Sequence, residues 1–378
     1  MHVLFADAID ESALRALRSA AHAVESLPGL TAEALPEAIG DADALVVRST
    51  KVTSAAIESS RRLALIVRAG AGVENIDMDA ASEQGIHVCN VPGRNAVAVA
   101  ELTMGLLLAI DRHIPDATAD LRAGVWNKKQ YSKAKGLMGR TMGIIGLGEI
   151  GLHVAERAKA FGLSVIALRK TSRSAVAEAR IRSIGVRLVD TIEQLASESD
   201  IVSIHVPAGA DTRSMIDAEL LGHFRDGAVL LNTSRGDCVD ETALIEAMET
   251  KGLRAGLDVF RNEPGSGDDQ FESPLARHPS VVGTHHVGAS TEQAQRSVAA
   301  GVVEAIEAFA AGEPANCLNL APRDTGNYSV TIRHFDRVGV LAAVLGVLRG
   351  AGLNVQHMEN RVFQGGTAAV AIIDISGP

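Results

Sequence analysis

Short apolar runs alternate with amphipathic stretches along most of the chain, a βα rhythm that builds a parallel sheet with helices on both faces. In the first third, Val3 to Asp7, Ala44 to Val47 and Leu63 to Val67 read as strands. Helices fall between them at Glu11 to Ala20 and near Ser54 to Ser60. The run Ala96 to Asp111 is apolar almost all round, so it is expected to be a buried helix at a domain junction. His113 to Arg140 carries the only tryptophan, Trp126, and leads to a second series of strands. These are Thr141–Ile145, Ser164–Leu168, Arg187–Val189, Ile201–Val206, Ala228–Thr233, Gly256–Phe260 and Val281–Thr284. A long helix over Gly288 to Ala311 then crosses back, which makes the first domain discontinuous. Beyond a linker at Leu318 to Gly326, a tail is expected to hold the strand Tyr328–Ile332, the helix Val338–Arg349 and the strands Asn354–Glu359 and Ala368–Ile375.

The most specific stretch lies in the second series. The strand Thr141 to Ile145 runs into Gly146-Leu147-Gly148-Glu149-Ile150-Gly151, a G-x-G-x-x-G turn that opens a helix ending near Phe161. A second strand, Ser164 to Leu168, follows at once. Alone, such a motif is often only a tight turn; inside a βαβ unit it reads as a dinucleotide site. Gly146 makes the turn, Gly148 admits a pyrophosphate, and Gly151 lets the helix pack on the strand. The helix start, with Glu149 and Ile150, offers unpaired N–H groups to the phosphates.

Composition narrows the class. A chain of 378 residues has room for two to three domains of about 100–200 residues each. Its net charge of −10 argues against general binding to nucleic acid or an anionic membrane. No cationic leader opens the chain, and its apolar runs fall short of the ~18 residues that span a bilayer. Cys89, Cys238 and Cys317 are scattered without metal spacing, so they fit small apolar fillers in a reduced, cytoplasmic protein with no metal site.

Candidate chemistry collects at strand ends, where open α/β sheets place their ligand crevice. Arg48 and Arg68 end two early strands, and solvated surface arginines are the plain alternative for them. Arg235, Glu263 and His286 follow three consecutive late strands. Taken singly, Arg235-Gly236 reads as a turn, Glu263-Pro264 as a loop boundary and His286 as a satisfied buried histidine. Together they make a working set. Arg235 offers a planar fork to a carboxylate, His286 can give or take a proton, and Glu263 can hold the imidazole in one tautomer.

Several stretches resemble the D-2-hydroxyacid dehydrogenase family: VVRSTKVT from Val46, RAGAGVENID from Arg68, NAVAVAELTMGLLLA from Asn95, GIIGLGEIG from Gly143, NTSRGDCVDE from Asn232, LDVFRNEP from Leu257 and HHVGASTEQAQ from His285. The resemblance implies a Rossmann-type doubly wound parallel sheet inserted in a flavodoxin-like substrate domain. The expected boundaries are 1–95 with 288–317 for the substrate domain, 96–287 for the dinucleotide domain and 327–378 for a tail. It also implies NAD or NADP as cofactor and a small hydroxy or keto acid, phosphorylated in the branch most alike, as substrate. Arg235, Glu263 and His286 match the family's catalytic arginine, glutamate and histidine. Arg48, Arg68, Ala71, Gly72 and Asn95 match substrate contacts, and Lys128 a basic position that reaches a neighbouring subunit. Further cofactor contacts are expected at Val206, Pro207, Thr233, Ser234, Asp258, His286 and Gly288. A homodimer or homotetramer is the expected assembly.

The tail resembles an ACT module, a βαββαβ regulatory unit, with His334, Asp336, Gly339 and Asn354 on its ligand pattern and its last helix and strand missing. An unpaired sheet edge then has to pair or stay loosely held. Two positions depart from the family. His285 stands where proline is usual. At the end of the second fingerprint strand, Arg169, Lys170 and nearby Arg173 replace the expected acid, which favours NADP. A glyoxylate or hydroxypyruvate reductase, and a dinucleotide-sensing corepressor on the same fold, are the alternatives.

Overall fold

The computed structural model describes residues 1–170, 173–264, 270–321 and 328–377 and divides the chain into two compact units, Met1–Cys317 and Leu318–Pro378. The first unit holds two parallel sheets. Strands β1 (His2–Phe5), β2 (Ala23–Ser26), β3 (Ala44–Val47), β4 (Leu65–Arg68) and β5 (His87–Asn90) lie in the order β2-β1-β3-β4-β5, the flavodoxin-like arrangement. The second sheet has seven strands: β6 (Thr141–Ile145), β7 (Ser164–Leu168), β8 (Arg187–Val189), β9 (Ile201–Ile204), β10 (Val229–Asn232), β11 (Arg254–Leu257) and β12 (Val281–Gly283). Their order, β12-β11-β10-β9-β6-β7-β8, reverses direction between β6 and β9. A ligand crevice belongs beyond the carboxyl ends at that switch point.

The helix Ala96–Arg112 explains its own composition. It packs on the helix Glu149–Ala160 and on β10 to β12, burying Ala100, Met104, Leu107 and Ile110 among others. Asp111, 1% exposed, anchors its end by accepting from Arg140 Nη1 at 3.3 Å and Gly136 N at 3.1 Å. The helix Glu292–Ala310 returns to the first sheet, setting Ala299, Val302, Ala305 and Ile306 against Val3, Phe5, Val46 and Val67.

Two strands, β2 and β5, carry no pattern that announces them. The β2 residues alternate exposed and half-buried at a sheet edge, and β5 is only four residues long. Helices at Ala175–Ile184 and Glu241–Lys251 were equally unmarked. Strands β9 and β11 stop at Ile204 and Leu257, before the expected Val206 and Phe260, because the chain leaves the ladder to form loops at the crevice. Cys89 and Cys238 are buried fillers. Cys89 faces Cys317 across an isolated antiparallel bridge, and burial with that neighbouring thiol pushes its pKa up to about 12. A thiol so hard to ionise is inert.

In the second unit, β13 (Tyr328–Phe335), β14 (Asn354–Val362) and β15 (Ala368–Ser376) form an antiparallel sheet with β15 central. The helix Val340–Gly350 covers one face through Leu341, Val344 and Leu348. This is a βαββ arrangement of ACT-like type, with β13 and β14 as its edges. The linker expected at Leu318 to Gly326 falls largely outside the described residues.

Candidate active site

The three fingerprint glycines meet three different physical demands. Gly146 has φ +99°, and a Cβ there would collide with the carbonyl of His205 on the neighbouring chain segment. A Cβ on Gly151 would strike the carbonyl of Gly146, so its absence lets the helix approach the strand. Gly148 faces open space and begins the helix Glu149–Ala160 with no side chain bonded to its first N–H groups. An open approach to an uncapped helix start suits a pyrophosphate. The residues present therefore fit a dinucleotide.

His286 is held in an uncommon conformation, φ +53°, which bulky residues adopt only under constraint. Asp258 supplies that constraint. Its carbonyl accepts His286 N at 2.7 Å, while its carboxylate accepts Thr284 Oγ1 at 2.6 Å, Val287 N at 2.9 Å and Gly288 N at 2.8 Å. Asp258, 1% exposed, thus anchors the histidine turn, and its carboxylate is engaged within the protein. His286 Nδ1 meets Glu263 Oε2 at 2.6 Å, and the other Glu263 oxygen accepts Phe260 N at 2.7 Å. The hydrogen bond to Glu263 raises the His286 pKa above its ordinary value, against the opposing pull of burial. Burial works against the Glu263 carboxylate, yet the bonds from His286 and Phe260 outweigh it and lower its pKa. With Nδ1 engaged by Glu263, Nε2 is the nitrogen left for a ligand.

Arg235 completes this wall. Asn232 Nδ2 donates to its carbonyl at 2.9 Å, and Asn232 Oδ1 accepts both Ser234 N and Ser234 Oγ. Thr233 bonds inward, its hydroxyl 2.9 Å from that of Thr103. Across from Arg235 lies the first sheet's glycine-rich loop. Glu74 Oε1 accepts Arg235 Nε at 3.2 Å and Nη2 at 3.1 Å, and a Cβ on Gly72 would meet both of these side chains. Asn90 Nδ2 fixes the same loop by donating to Ala71 O at 2.6 Å. Arg68 packs against Gly70, and among the described residues its buried Nε has no hydrogen-bond partner. Its pKa is lowered by burial; Glu74 opposes the shift, while Arg235 and Arg48 add to it. Arg48 sits where Asp7 Oδ2 accepts three successive N–H groups, from Arg48 at 2.6 Å and from Ser49 and Thr50 at 3.0 Å. Three arginines, one histidine and the carboxylates of Glu74 and Glu263 thus gather where the two sheets' strand ends meet.

Residues 104–288 match the D-isomer specific 2-hydroxyacid dehydrogenase, NAD binding domain. The chain is 44% identical over 321 residues to a D-3-phosphoglycerate dehydrogenase of Methanocaldococcus jannaschii, covering 84% of this chain and 59% of that protein. It is 42% identical over 302 residues to a hydroxypyruvate reductase of Thermotoga maritima, covering 79% of this chain and 95% of that protein. Among solved structures, an acyclic imino acid reductase in complex with NADPH and D-arginine superposes with a TM-score of 0.74 at 27% identity, over 84% of this chain and 100% of that one. The chain belongs to the D-isomer specific 2-hydroxyacid dehydrogenase family. It spans 59% of the phosphoglycerate dehydrogenase's length, so that protein's activity is not simply inherited.

Asn95 precedes the helix Ala96–Arg112 without capping it through its side chain. Lys128 is exposed on a four-residue helix and, among the described residues, makes no hydrogen bond or ion pair with the others. Just beyond β9, Val206 is half-buried and Pro207 exposed, and Pro207 O accepts Thr212 Oγ1 at 2.9 Å. Beside them desolvation lowers the His205 pKa to about 3. His285 is exposed next to His286. Arg169 directly follows β7, but its Nε donates to Asp190 Oδ1 at 2.8 Å, an acid that directly follows β8. Arg173 Nη2 donates to Leu168 O at 2.9 Å, and Lys170 is exposed. Sequence reasoning missed Glu74, although an acid directly after a glycine-rich strand-end turn was a usable signal. No group of three or more metal-ligating side chains occurs among the described residues, and no described helix is long and apolar enough to cross a membrane.

Proposed function

We propose that the protein interconverts 3-phosphoglycerate and 3-phosphohydroxypyruvate with NAD or NADP, a step towards serine. The observation that carries this reading is the 2.6 Å bond between His286 and Glu263, set beside Arg235 and the cations Arg48 and Arg68. When bound, the cofactor supplies or accepts the hydride at its nicotinamide C4. The protein does the rest. Arg235 binds the carboxylate of the acid, and Arg48 with Arg68 suit a phosphate dianion. His286 Nε2 donates a proton to the keto oxygen during reduction and accepts the hydroxyl proton during oxidation. Glu263 keeps the Nδ1–H in place and stabilises the imidazolium. Gly146, Gly148, Glu149, Ile150 and Gly151 cradle the pyrophosphate, flanked by Val206, Pro207, Thr233 and Ser234.

Residues 1–95 with 288–317 serve as the substrate domain and 96–287 as the dinucleotide domain on this reading. A homodimer is supported by the exposed apolar side chains Ile114, Leu121, Val125, Trp126 and Met138 around the segment that carries Lys128. The cytoplasm is the compartment where these substrates and cofactors meet. A second reading, hydroxypyruvate reductase, is favoured by the relative whose length the chain covers to 95%. Steady-state turnover with 3-phosphohydroxypyruvate, hydroxypyruvate and glyoxylate separates the two. A kcat/KM highest for the phosphorylated acid supports the first, and equal or higher values for hydroxypyruvate support the second.

A further inference from the structure

Arg235 has five N–H donors, and the chain engages three of its nitrogens. Nε and Nη2 donate to the single atom Glu74 Oε1, and Nη1 donates to Ser234 O at 2.8 Å. Among the described residues this leaves two donors, one on each terminal nitrogen. They project side by side from the end of the guanidinium, which is the geometry that receives a carboxylate through two parallel bonds. The side edge is closed by Glu74 and the plane is fixed from both flanks. Gly72 is part of the same device. Its φ is not in the left-handed region, so what a side chain there would change is space: a Cβ would press on the ends of the Glu74 and Arg235 side chains and push the pair out of its present arrangement.

Charge points the same way. Arg235, Arg68 and Arg48 are close enough that the other two lower the pKa of Arg68. An unanchored guanidinium in that company swings away from its neighbours. Burial opposes the charge on Glu74, yet its own backbone bond together with Arg235 and Arg68 keeps its pKa below the ordinary value, so it is ionised at neutral pH. The carboxylate that bridges the loop and Arg235 is therefore charged and in place before any substrate arrives.

We propose that Glu74 is a positioning residue that aims the end-on fork of Arg235 at the carboxylate of the hydroxy or keto acid. This rests on the reading that Arg235 binds that carboxylate, so the test treats the two separately. Glu74→Ala is expected to raise the KM for 3-phosphohydroxypyruvate and for hydroxypyruvate by the same factor, about tenfold, as befits a lost charge-assisted bond. The KM for the reduced cofactor stays unchanged. Glu74→Gln, which keeps an acceptor oxygen, recovers part of the loss. Gly72→Ala raises the keto-acid KM in the same manner. In an Arg235→Lys background, which has no fork to aim, Glu74→Ala adds less than about twofold, as a coupled pair requires. An unchanged or lowered keto-acid KM in Glu74→Ala overturns the proposal, as does a full additional loss in the lysine background. If instead Arg235→Ala itself leaves the keto-acid KM unaltered, the reading of the site fails, whatever Glu74 does.

Discussion

Two strand-end regions of the dinucleotide half have similar residue types and opposite degrees of order. Around Arg235, Glu263 and His286, each functional side chain has a partner, and a buried carboxylate, Asp258, holds the histidine turn through four bonds to its backbone and side-chain oxygens. In the other region Arg169 and Lys170 are exposed and Arg173 is half-buried. The ion pair they make among the described residues, Arg169 with Asp190, has side chains 55% and 74% exposed. Exposed pairs of that kind contribute about 0–1 kcal/mol, whereas a prearranged donor acts at full strength on developing charge. Charge alone does not make a site. The difference lies in how much of the geometry is settled before the ligand binds.

The largest effect belongs to the ordered region. His286→Ala is expected to lower turnover by about 10²-fold or more, the range for losing general acid–base help. Near-normal turnover in that variant would remove the histidine from the chemistry. Next, Glu263→Gln is expected to cost about tenfold in kcat and to displace the pH profile. The hydrogen bond from Glu263 raises the His286 pKa, so reduction, which needs the protonated ring, falls as pH climbs through that raised value. Oxidation, which needs the neutral ring, rises over the same window. Removing the carboxylate moves both limbs to lower pH. Limbs that stay put would mean that another group titrates.

Arg68→Ala tests the substrate end of the same wall. It is expected to lower kcat/KM for 3-phosphohydroxypyruvate about tenfold more than for hydroxypyruvate, since a charge-assisted contact is worth about 1.5–3 kcal/mol. Equal losses on both substrates would favour the reductase reading. The smallest effect is expected in the loose region. Arg169→Asp is expected to lower the ratio of kcat/KM for NADPH over NADH by only a fewfold. Asp190 already partners Arg169 and tempers its pull on a 2′-phosphate. A ratio that does not fall would remove Arg169 from cofactor choice, and a hundredfold fall would show that the pair opens on binding.

Much of this fold was legible in the sequence because periodicity and glycine placement report local backbone geometry. The G-x-G-x-x-G turn, the apolar Ala96–Arg112 helix and the late strand ends with Arg235, Glu263 and His286 are local statements, and they needed no partner to be read. The edge strand β2 was silent because an edge buries too little to show an alternating apolar face.

Partnership was decided only in three dimensions. Glu74 and Arg235 are 161 positions apart, and nothing in either segment names the other. Asp258 sits on a strand end like any ligand-facing acid, yet the fold turns its oxygens onto the chain that carries His286. The acid missing after β7 is brought back as Asp190 by the adjacent β8. Sequence fixes which backbone shapes are cheap at each point, whereas a side chain's partner depends on which strand ends the sheet order sets side by side.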